Sequence, residues 1–222
     1  MSVGPSIAVV DYGMGNRRSV EKALCHVGAD AVITRDHERI ERADGLVVPG
    51  VGAFPQAMRN LSDLGLAPLV RERARSGTPL LGICLGMQLL FERSEEVRDT
   101  EGLALIEGHV AFLRTEGLRI PHIGWNDVSF VRPSVLTAGL GDEACAFYHV
   151  HSLAVRPRRA EDVVGTTEYG ERFTTIVARD NVLGVQFHPE KSSAHGLRML
   201  QNFVSLCAPG QAPSREATTA HA

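Results

Sequence analysis

The amino-terminal half of the chain alternates short apolar runs with segments of helical periodicity, and this alternation limits the folds that it can adopt. The runs that are apolar along almost their whole length are SIAVVD (6–11), AVITR (31–35), GLVVPG (45–50) and PLLGIC (79–84). Segments of helical spacing lie between them, at Val20, Ala23, Leu24 and Val27 and again over residues 53–76. Strands that are buried on both faces and separated by helices favour a parallel sheet. We therefore predict an α/β fold of three layers, with helices on both faces of the sheet.

The second half of the chain has a different pattern. Short candidate strands separated by turn residues are HIGWNDVSFV, CAFYHVHSLAV, VVGTTEYG, FTTIVARDN and VLGVQFH. This spacing indicates hairpins and a smaller antiparallel portion. LGMQLLFERSEE (85–96) and AHGLRMLQNFVSLC (194–207) are predicted helices. We expect a single domain over residues 1–207 and a disordered tail over 208–222.

Composition excludes several classes of function. The formal net charge of −3 gives the chain no bulk attraction to nucleic acid or to an acidic membrane surface. No apolar run approaches the roughly 20 residues that span a bilayer, and the amino terminus lacks the pattern of a signal peptide. The four cysteines are far apart in the sequence, which favours a reduced, cytoplasmic protein. We predict no nucleic-acid and no membrane partner.

The segment LLGICLGMQL (80–89) brackets Cys84 with Gly82 and Gly86, at a junction between a predicted strand and a predicted helix. A strand that turns directly into a helix brings these two positions close to neighbouring backbone, so only glycine-sized residues fit. We predict that Cys84 lies at the apex with its sulfur exposed, where helix amides favour the thiolate. The alternative is a buried core cysteine, which is our interpretation of Cys25, Cys145 and Cys207.

A nucleophilic cysteine needs a base, and His188 is the best candidate of the nine histidines. It follows a predicted buried strand, and Glu190 lies two residues later. With Pro189 keeping the segment extended, the two side chains would project to the same side, about 6 to 7 Å apart at the backbone. Glu190 would then orient the imidazole of His188. The alternative is a surface ion pair.

Two further segments contain residues that could take part in chemistry. HVHS (149–152) places two histidines on one strand face, as half a metal site would, but no third ligand follows at zinc-like spacing, so we predict no metal. LVVPGVGAF (46–54) ends a strand in a bare loop, where the amides of Val51 and Gly52 could stabilise an oxyanion together with that of Leu85. A phosphate loop is disfavoured because no G-K-[ST] follows, whereas a simple turn remains an alternative.

Three motifs in this order, PGVGAF, GICLGMQLLFE and GVQFHPEKS, resemble those of the class I glutamine amidotransferases. The resemblance implies a flavodoxin-like sheet and a catalytic triad in which Cys84 attacks glutamine, His188 transfers the proton and Glu190 orients His188. It also implies glutamine contacts at Gly52, Gln88, Glu96 and Ser152. The family commonly has an aromatic residue after Ser152, whereas this chain has Leu153, which leaves only a backbone contact intact.

DYGMGNRRSVEKAL, PGVGAF and IPHIGWNDV resemble one branch of this family, the glutaminase subunits of imidazole glycerol phosphate synthase. That resemblance implies L-glutamine as substrate, no cofactor, and a heterodimer with a (β/α)8-barrel cyclase that receives the ammonia. The cyclase would make imidazole glycerol phosphate and aminoimidazole carboxamide ribotide. Positions matching those that face the cyclase are Asn16, Trp125, Tyr148 and Lys191, although Trp125 could equally fill the core.

Other functions remain open from the sequence. The chain could be the glutaminase of another biosynthetic synthase, a related thiol peptidase, or a binding module without catalysis. The presence of all three triad residues disfavours the last of these. Because Val51 stands alone between two glycines, we also expect the loop to present its amide in more than one orientation, and hence weak glutaminase activity in isolation.

Overall fold

The computed structural model describes residues 4–115, 117–141 and 145–208. Within these ranges the strands are β1 (Ser6–Val10), β2 (Asp30–Thr34), β3 (Gly45–Gly50), β4 (Leu80–Cys84), β5 (Phe91–Ser94), β6 (Thr100–Glu101), β7 (Ile106–Phe112), β8 (His122–Phe130), β9 (Cys145–His151), β10 (Leu153–Pro157), β11 (Val163–Glu168), β12 (Arg172–Arg179) and β13 (Val182–Val185). The helices are α1 (Arg17–His26), α2 (His37–Arg42), α3 (Phe54–Asp63), α4 (Leu66–Arg75), α5 (Leu85–Leu89) and α6 (Ser193–Leu206). Apart from Ala208, the tail predicted to be disordered lies outside the described residues.

Five neighbouring strands form the parallel part of the sheet, in the order β2, β1, β3, β4 and β13. Every residue of β3 and of β4 is buried, as expected for strands covered on both faces. Gly50 at the end of β3 pairs with Cys84 at the end of β4. The loop after β3 and the turn after β4 therefore meet at the same edge of the sheet.

Two apolar layers cover this sheet. One contains Ile40 of α2 and the buried residues of α3, α4 and α5, and the other contains the buried residues of α1 and α6. Alternate residues of β1 point into the two layers, since Ala8 belongs to the first and Val9 to the second. The predicted α/β fold of three layers, with helices on both faces, is confirmed.

The second half of the chain extends the sheet with mainly antiparallel pairs. β12 pairs antiparallel with β13, β10 with β12, and β7 with β10, while β5 runs parallel to β7. β8 and β9 form a two-stranded antiparallel ribbon that joins the sheet through β11. The predicted smaller antiparallel portion is confirmed.

The prediction of one helix over residues 85–96 is wrong. α5 ends at Leu89, and Phe91 begins β5, whose partner Ile106 lies in β7. The carbonyl oxygen of Leu90, instead of accepting from a residue one turn later, accepts from the amides of Leu105 and Ile106 at 2.8 and 3.0 Å. Hydrogen bonds to a distant strand thus replace the helical ones. No helix within the described ranges is long and apolar enough to cross a membrane.

Candidate active site

The turn from β4 into α5 has the geometry that the glycine spacing predicts. Cys84 occupies it with φ 55° and ψ −110°, a conformation that is strained for a residue with a side chain. A Cβ atom added to Gly82 would lie 2.6 Å from the carbonyl oxygen of Gly86, and one added to Gly86 would lie 1.7 Å from that of Val48. Both distances are shorter than any real contact of a Cβ atom, so both positions require glycine.

The sulfur of Cys84 is not exposed above the sheet as predicted. Cys84 is only 5% exposed, and it opens into a cavity of about 230 Å³ instead of onto the surface. The physical reason is that β9 and the segment before β8 cover the ends of β3 and β4. Val150 of β9 and Pro121 of that segment line the cavity together with Cys84.

The cavity brings together the residues predicted to hold the substrate and the oxyanion. Its walls include, besides Cys84, the residues Val51, Gly52, Leu85, Gln88, Glu96 and Ser152. They come from four parts of the chain: the loop after β3, the helix α5, the segment after β5 and the strand junction after β9. Their convergence around one sulfur is an observation, whereas their individual roles remain predictions.

His188 and Glu190 are in the predicted contact. Nδ1 of His188 lies 2.9 Å from Oε1 of Glu190, and both side chains are almost completely buried. The expected extended segment is wrong, because residues 189–191 form a short 3-10 helix. That turn folds the carboxylate back towards the ring of His188. The surface ion pair considered as the alternative is excluded by the burial.

The neighbours of His188 set its charge. Burial by itself would lower the pKa of His188, but hydrogen bonding and charge interactions with Cys84 and Glu190 outweigh it and raise the pKa to about 9. The imidazole is therefore protonated at neutral pH. A protonated imidazole beside a cysteine sulfur stabilises the thiolate, which is the reactive form.

The backbone of β9 holds His188 in place. The amide of His188 donates to the carbonyl oxygen of Tyr148 at 2.9 Å. The amide of Tyr148 in turn donates to Oγ of Ser192, whose hydroxyl donates to the carbonyl oxygen of His188. The base is thus attached to the strand that also roofs the cavity.

Asn16 contacts the same pair of side chains, a contact that the sequence did not predict. Its Nδ2 donates to Oε1 of Glu190 at 2.7 Å and lies 3.1 Å from Nδ1 of His188. Asn16 has φ 74°, a left-handed conformation that asparagine tolerates better than most residues. It was predicted only as a partner-facing residue, and it is half-buried.

Gln88 lies beside the nucleophile and is itself held by other residues. Its Nε2 donates to the carbonyl oxygen of Leu153 at 3.3 Å and to Oε1 of Gln186 at 3.1 Å. Nε2 of Gln186 lies 3.8 Å from the sulfur of Cys84. Gln186 was missed in the sequence, where the signal was a polar residue in the otherwise apolar run VLGVQF.

Glu96 lines the cavity and also has a structural contact. Its Oε2 accepts a hydrogen bond of 2.6 Å from the amide of Phe54, the first residue of α3. No side chain of α3 or of its N-cap residue caps that end of the helix. Glu96 therefore links the loop after β3 to the cavity wall.

The predicted oxyanion loop is anchored where it leaves β3 and packs beside the residues that follow Tyr12. The hydroxyl of Tyr12 donates to the carbonyl oxygen of Pro49 at 2.6 Å, whereas the side chain of Val51 is partly exposed. Gly52 has φ 133°, and a Cβ atom there would lie 2.4 Å from Cε of Met14. That the amides of Val51, Gly52 and Leu85 stabilise an oxyanion remains a prediction.

The residues predicted to face a partner lie together on one surface. Trp125 is 55% exposed, so the alternative that it fills the core is wrong. Its ring centroid lies 6.2 Å from that of Tyr148, and Nζ of Lys191 lies 6.0 Å from the same Tyr148 ring. Ile123, for which the sequence predicted no role, is 59% exposed on the same strand as Trp125.

Four other sequence interpretations can be compared with the structure. Cys145 and Cys207 are buried as predicted, but Cys25 is exposed, because it lies on the outer side of α1. The two histidines of HVHS share the inner face of β9, and all four of their ring nitrogens lie within hydrogen-bonding distance of other protein atoms.

Comparisons with known proteins agree with this geometry. Residues 8–207 match the family model "Glutamine amidotransferase class-I". The chain is 51% identical over 200 residues to "Imidazole glycerol phosphate synthase subunit HisH" of Moorella thermoacetica, covering 90% of this chain and 94% of that protein. It is 50% identical over 201 residues, with the same coverage, to the protein of the same name from Bacillus cereus strain AH187. Among solved structures, a glutamine amidotransferase has a similar fold, with a TM-score of 0.71 at 23% identity, over 90% of this chain and 98% of that chain.

Proposed function

This chain belongs to the class I glutamine amidotransferase family, and we propose that it is the glutaminase subunit of an imidazole glycerol phosphate synthase. In this function it hydrolyses glutamine to glutamate and ammonia, and the ammonia serves histidine biosynthesis. The observation that carries the proposal is the series of contacts from Cys84, which lines a small cavity, to His188 and from His188 to Glu190. A relative of about half-identical sequence along nearly the whole chain supports the choice of synthase.

The first half of the reaction forms a covalent intermediate. The thiolate of Cys84 attacks the side-chain carbonyl carbon of glutamine, and the carbonyl oxygen becomes an oxyanion. The amides of the loop after β3 and of Leu85 would stabilise that charge, a contribution of about 3 kcal/mol for each well-placed donor. His188, which is protonated at neutral pH, then gives its proton to the departing nitrogen. Ammonia leaves, and a thioester remains on Cys84.

The second half releases glutamate. Neutral His188 takes a proton from a water molecule, which attacks the thioester carbon. The tetrahedral intermediate collapses, the carbon–sulfur bond breaks and Cys84 leaves as the thiolate beside a protonated His188. Glu190 keeps Nδ1 of the imidazole facing itself throughout, so the other ring nitrogen faces the sulfur.

We propose that the ammonia passes to a (β/α)8-barrel cyclase with which the chain forms a heterodimer in the cytoplasm. The exposed side chains of Ile123 and Trp125, next to Tyr148, supply a surface with the apolar and aromatic character of protein interfaces, and Lys191 lies beside it. In the complex the cyclase would form imidazole glycerol phosphate and aminoimidazole carboxamide ribotide. A glutaminase subunit of another synthase remains the alternative, and the identity of the captured partner distinguishes the two.

Substitution of the nucleophile tests the chemistry. We expect Cys84→Ala to abolish glutamate release from glutamine by the purified complex, since no other group can form the thioester. Cys25→Ala is the matched control, because Cys25 is exposed and lies on α1, and we expect it to retain activity. Glutamate release that persists in Cys84→Ala would disprove the triad assignment.

Capture of the partner tests the biological role. Affinity purification of the full chain from its native cell should recover a barrel cyclase, and glutamate production should rise when that cyclase and its nucleotide ligand are added. Recovery of a different synthase would reject the role in histidine biosynthesis and leave the glutaminase chemistry intact. A high rate from the isolated chain would contradict the expected weak activity.

A further inference from the structure

The ribbon of β8 and β9 has two faces of opposite character. Exposed and half-buried side chains on the outer face include Ile123, Trp125 and Tyr148. The inner face carries three buried histidines, His122, His149 and His151, of which the catalytic steps above use none. Such a cluster of buried titratable groups next to the cavity calls for a physical explanation.

Two of these histidines, His122 and His151, form a hydrogen-bond network. Nδ1 of His151 lies 2.8 Å from the carbonyl oxygen of Leu153, and Nε2 of His151 lies 3.1 Å from Nδ1 of His122. Nε2 of His122 lies 3.3 Å from Nδ2 of Asn126. His122 and His151 are directly paired across the ribbon, which explains the contact of their rings.

The chemistry of the partners fixes the donor and the acceptor of every hydrogen bond in this network. The carbonyl oxygen of Leu153 can only accept, so Nδ1 of His151 carries the hydrogen and its Nε2 accepts. His122 must then donate from Nδ1 and accept at Nε2 from the amide of Asn126. That amide is oriented independently, because it also donates to the carbonyl oxygen of Glu168 at 2.9 Å while its oxygen accepts from the amide of Asp127.

The charge state of the rings agrees with this direction. Burial lowers the pKa of His151 to about 3, further lowered by the neighbouring His122 and His188 and only partly offset by the bond to Leu153. Burial also lowers the pKa of His122. Both rings are therefore neutral at pH 7, with one donor and one acceptor nitrogen each.

The hydrogen-bond network ends at an atom that belongs to the glutamine site. The carbonyl oxygen of Leu153 accepts from His151 and also from Nε2 of Gln88, which lines the cavity next to Cys84. His151 lines the same cavity. The Leu153 carbonyl, whose residue is also paired with Phe112 in the sheet, therefore joins the histidine network to Gln88.

We propose that His122 and His151 are positioning residues that, as two neutral imidazoles of fixed tautomer, hold the Leu153 carbonyl and through it Gln88 in the glutamine pocket. His149 is not part of this hydrogen-bond network. Its Nδ1 lies 3.1 Å from the carbonyl oxygen of Phe147 and its Nε2 lies 2.9 Å from the hydroxyl of Thr175. It is a buried histidine whose ring stacks on that of His122, with centroids 4.9 Å apart, but whose hydrogen-bond partners are separate. It is therefore a control for packing as opposed to hydrogen bonding.

The tautomers give a test that does not depend on activity. In the full chain labelled with ¹⁵N-histidine, two-bond NMR correlations at pH 7 to 8 should show hydrogen on Nδ1 and none on Nε2 for both His122 and His151. His122→Asn and His151→Asn assign the signals. A hydrogen on Nε2 of either ring, or a doubly protonated ring in this pH range, would overturn the proposal.

The kinetic test rests on the proposed function, because it uses glutamine as substrate in the complex with the cyclase. In His122→Leu, His151 loses its donor, and we expect KM for glutamine to rise about three- to tenfold with kcat changed less than twofold, the effect of losing about one neutral hydrogen bond. Asparagine carries an amide nitrogen near the position of Nδ1, so His122→Asn should restore most of the affinity.

His149→Leu separates positioning from general loss of packing. We expect it to lower the free energy of unfolding without raising KM for glutamine. An unchanged KM in folded His122→Leu, or an equal rise in His149→Leu, would refute the positioning role. Should His122→Leu fail to fold, the NMR test on the unmodified chain still decides. If the unmodified complex hydrolyses no glutamine, the proposed function fails, whereas the tautomers can still be as predicted.

Discussion

Gly86→Ala tests the steric basis of the turn at Cys84. Gly86 lies in α5, and in a helix with free space alanine would stabilise the protein by about 0.5 to 1 kcal/mol relative to glycine. In this structure a Cβ atom at Gly86 would lie 1.7 Å from the carbonyl oxygen of Val48, in a strand paired on both sides. The structure therefore predicts the opposite sign of effect.

The size of the effect follows from the overlap. Ordinary van der Waals contact begins at 3.4 Å, so the helix and β3 must separate by about 1.7 Å. Overpacking of a core typically costs about 1 to 3 kcal/mol, and we expect at least about 3 kcal/mol here because the clash is with backbone that cannot rotate away. Cys84 lies two residues earlier and must move with the helix. A displacement of about 1 Å at a reacting atom lowers the rate about a hundredfold.

Urea denaturation and glutaminase kinetics measure the two effects. Gly77→Ala is the control, because Gly77 follows α4 at the opposite edge of the sheet and a Cβ atom there meets nothing within 4 Å, although its φ is 95°. We expect that control to lose about 1 to 2 kcal/mol and to keep its kcat. If Gly86→Ala were as stable as the unmodified protein or more so, the close approach of α5 to β3 would be refuted.

Three further predictions concern the site and its surface. Asn16→Ala should lower kcat about tenfold, since it removes a hydrogen bond to the Glu190 carboxylate. Asn16→Asp should lower kcat further by charge repulsion, and an unchanged kcat in both variants would show that this contact is not used. Trp125→Ala should change the free energy of unfolding by less than about 0.5 kcal/mol, since the ring is half exposed, yet weaken binding of the cyclase at least tenfold in calorimetry. A loss of about 3 kcal/mol in the free energy of unfolding would instead indicate a core residue. Because the pKa of His188 is raised from 6.5 to about 9, its contribution to stability is complete below pH 6.5 and is lost as pH rises through 9. The free energies of unfolding of the unmodified protein and of His188→Gln should therefore converge between pH 6.5 and 9, and divergence would contradict the raised pKa.

Features that depend on short stretches of sequence were predicted well. The runs ending at Gly50 and Cys84 are β3 and β4, with bounds within one residue of those expected. Their fully apolar composition is enough, because only a strand covered on both faces buries every side chain. The glycines around Cys84 were equally informative, since a strand that turns into a helix leaves no space for a Cβ atom.

Features that depend on distant partners were predicted badly. Residues 91–94 have an apolar start and follow closely on the helix α5, and only the position of β7 makes them a strand. Asn16 reaches Glu190 across 174 positions of sequence, and no local pattern announces that contact. The burial of Cys84 likewise depends on β9, which enters the chain 61 residues later, at Cys145.

The sequence by itself therefore determined the parallel strands β1 to β4, the sharp turn at Cys84 and the residue types of the triad. These depend on backbone sterics and on side-chain periodicity over a few residues. Only the tertiary structure decided that Cys84 is buried beside a cavity, that Asn16 contacts Glu190 and that Gln186 contacts Gln88. It alone also decided that His122 is linked through His151 to the Leu153 carbonyl. Those contacts join segments whose separation in the chain carries no periodic signal, and they exist because the sheet brings the ends of its strands together at one edge.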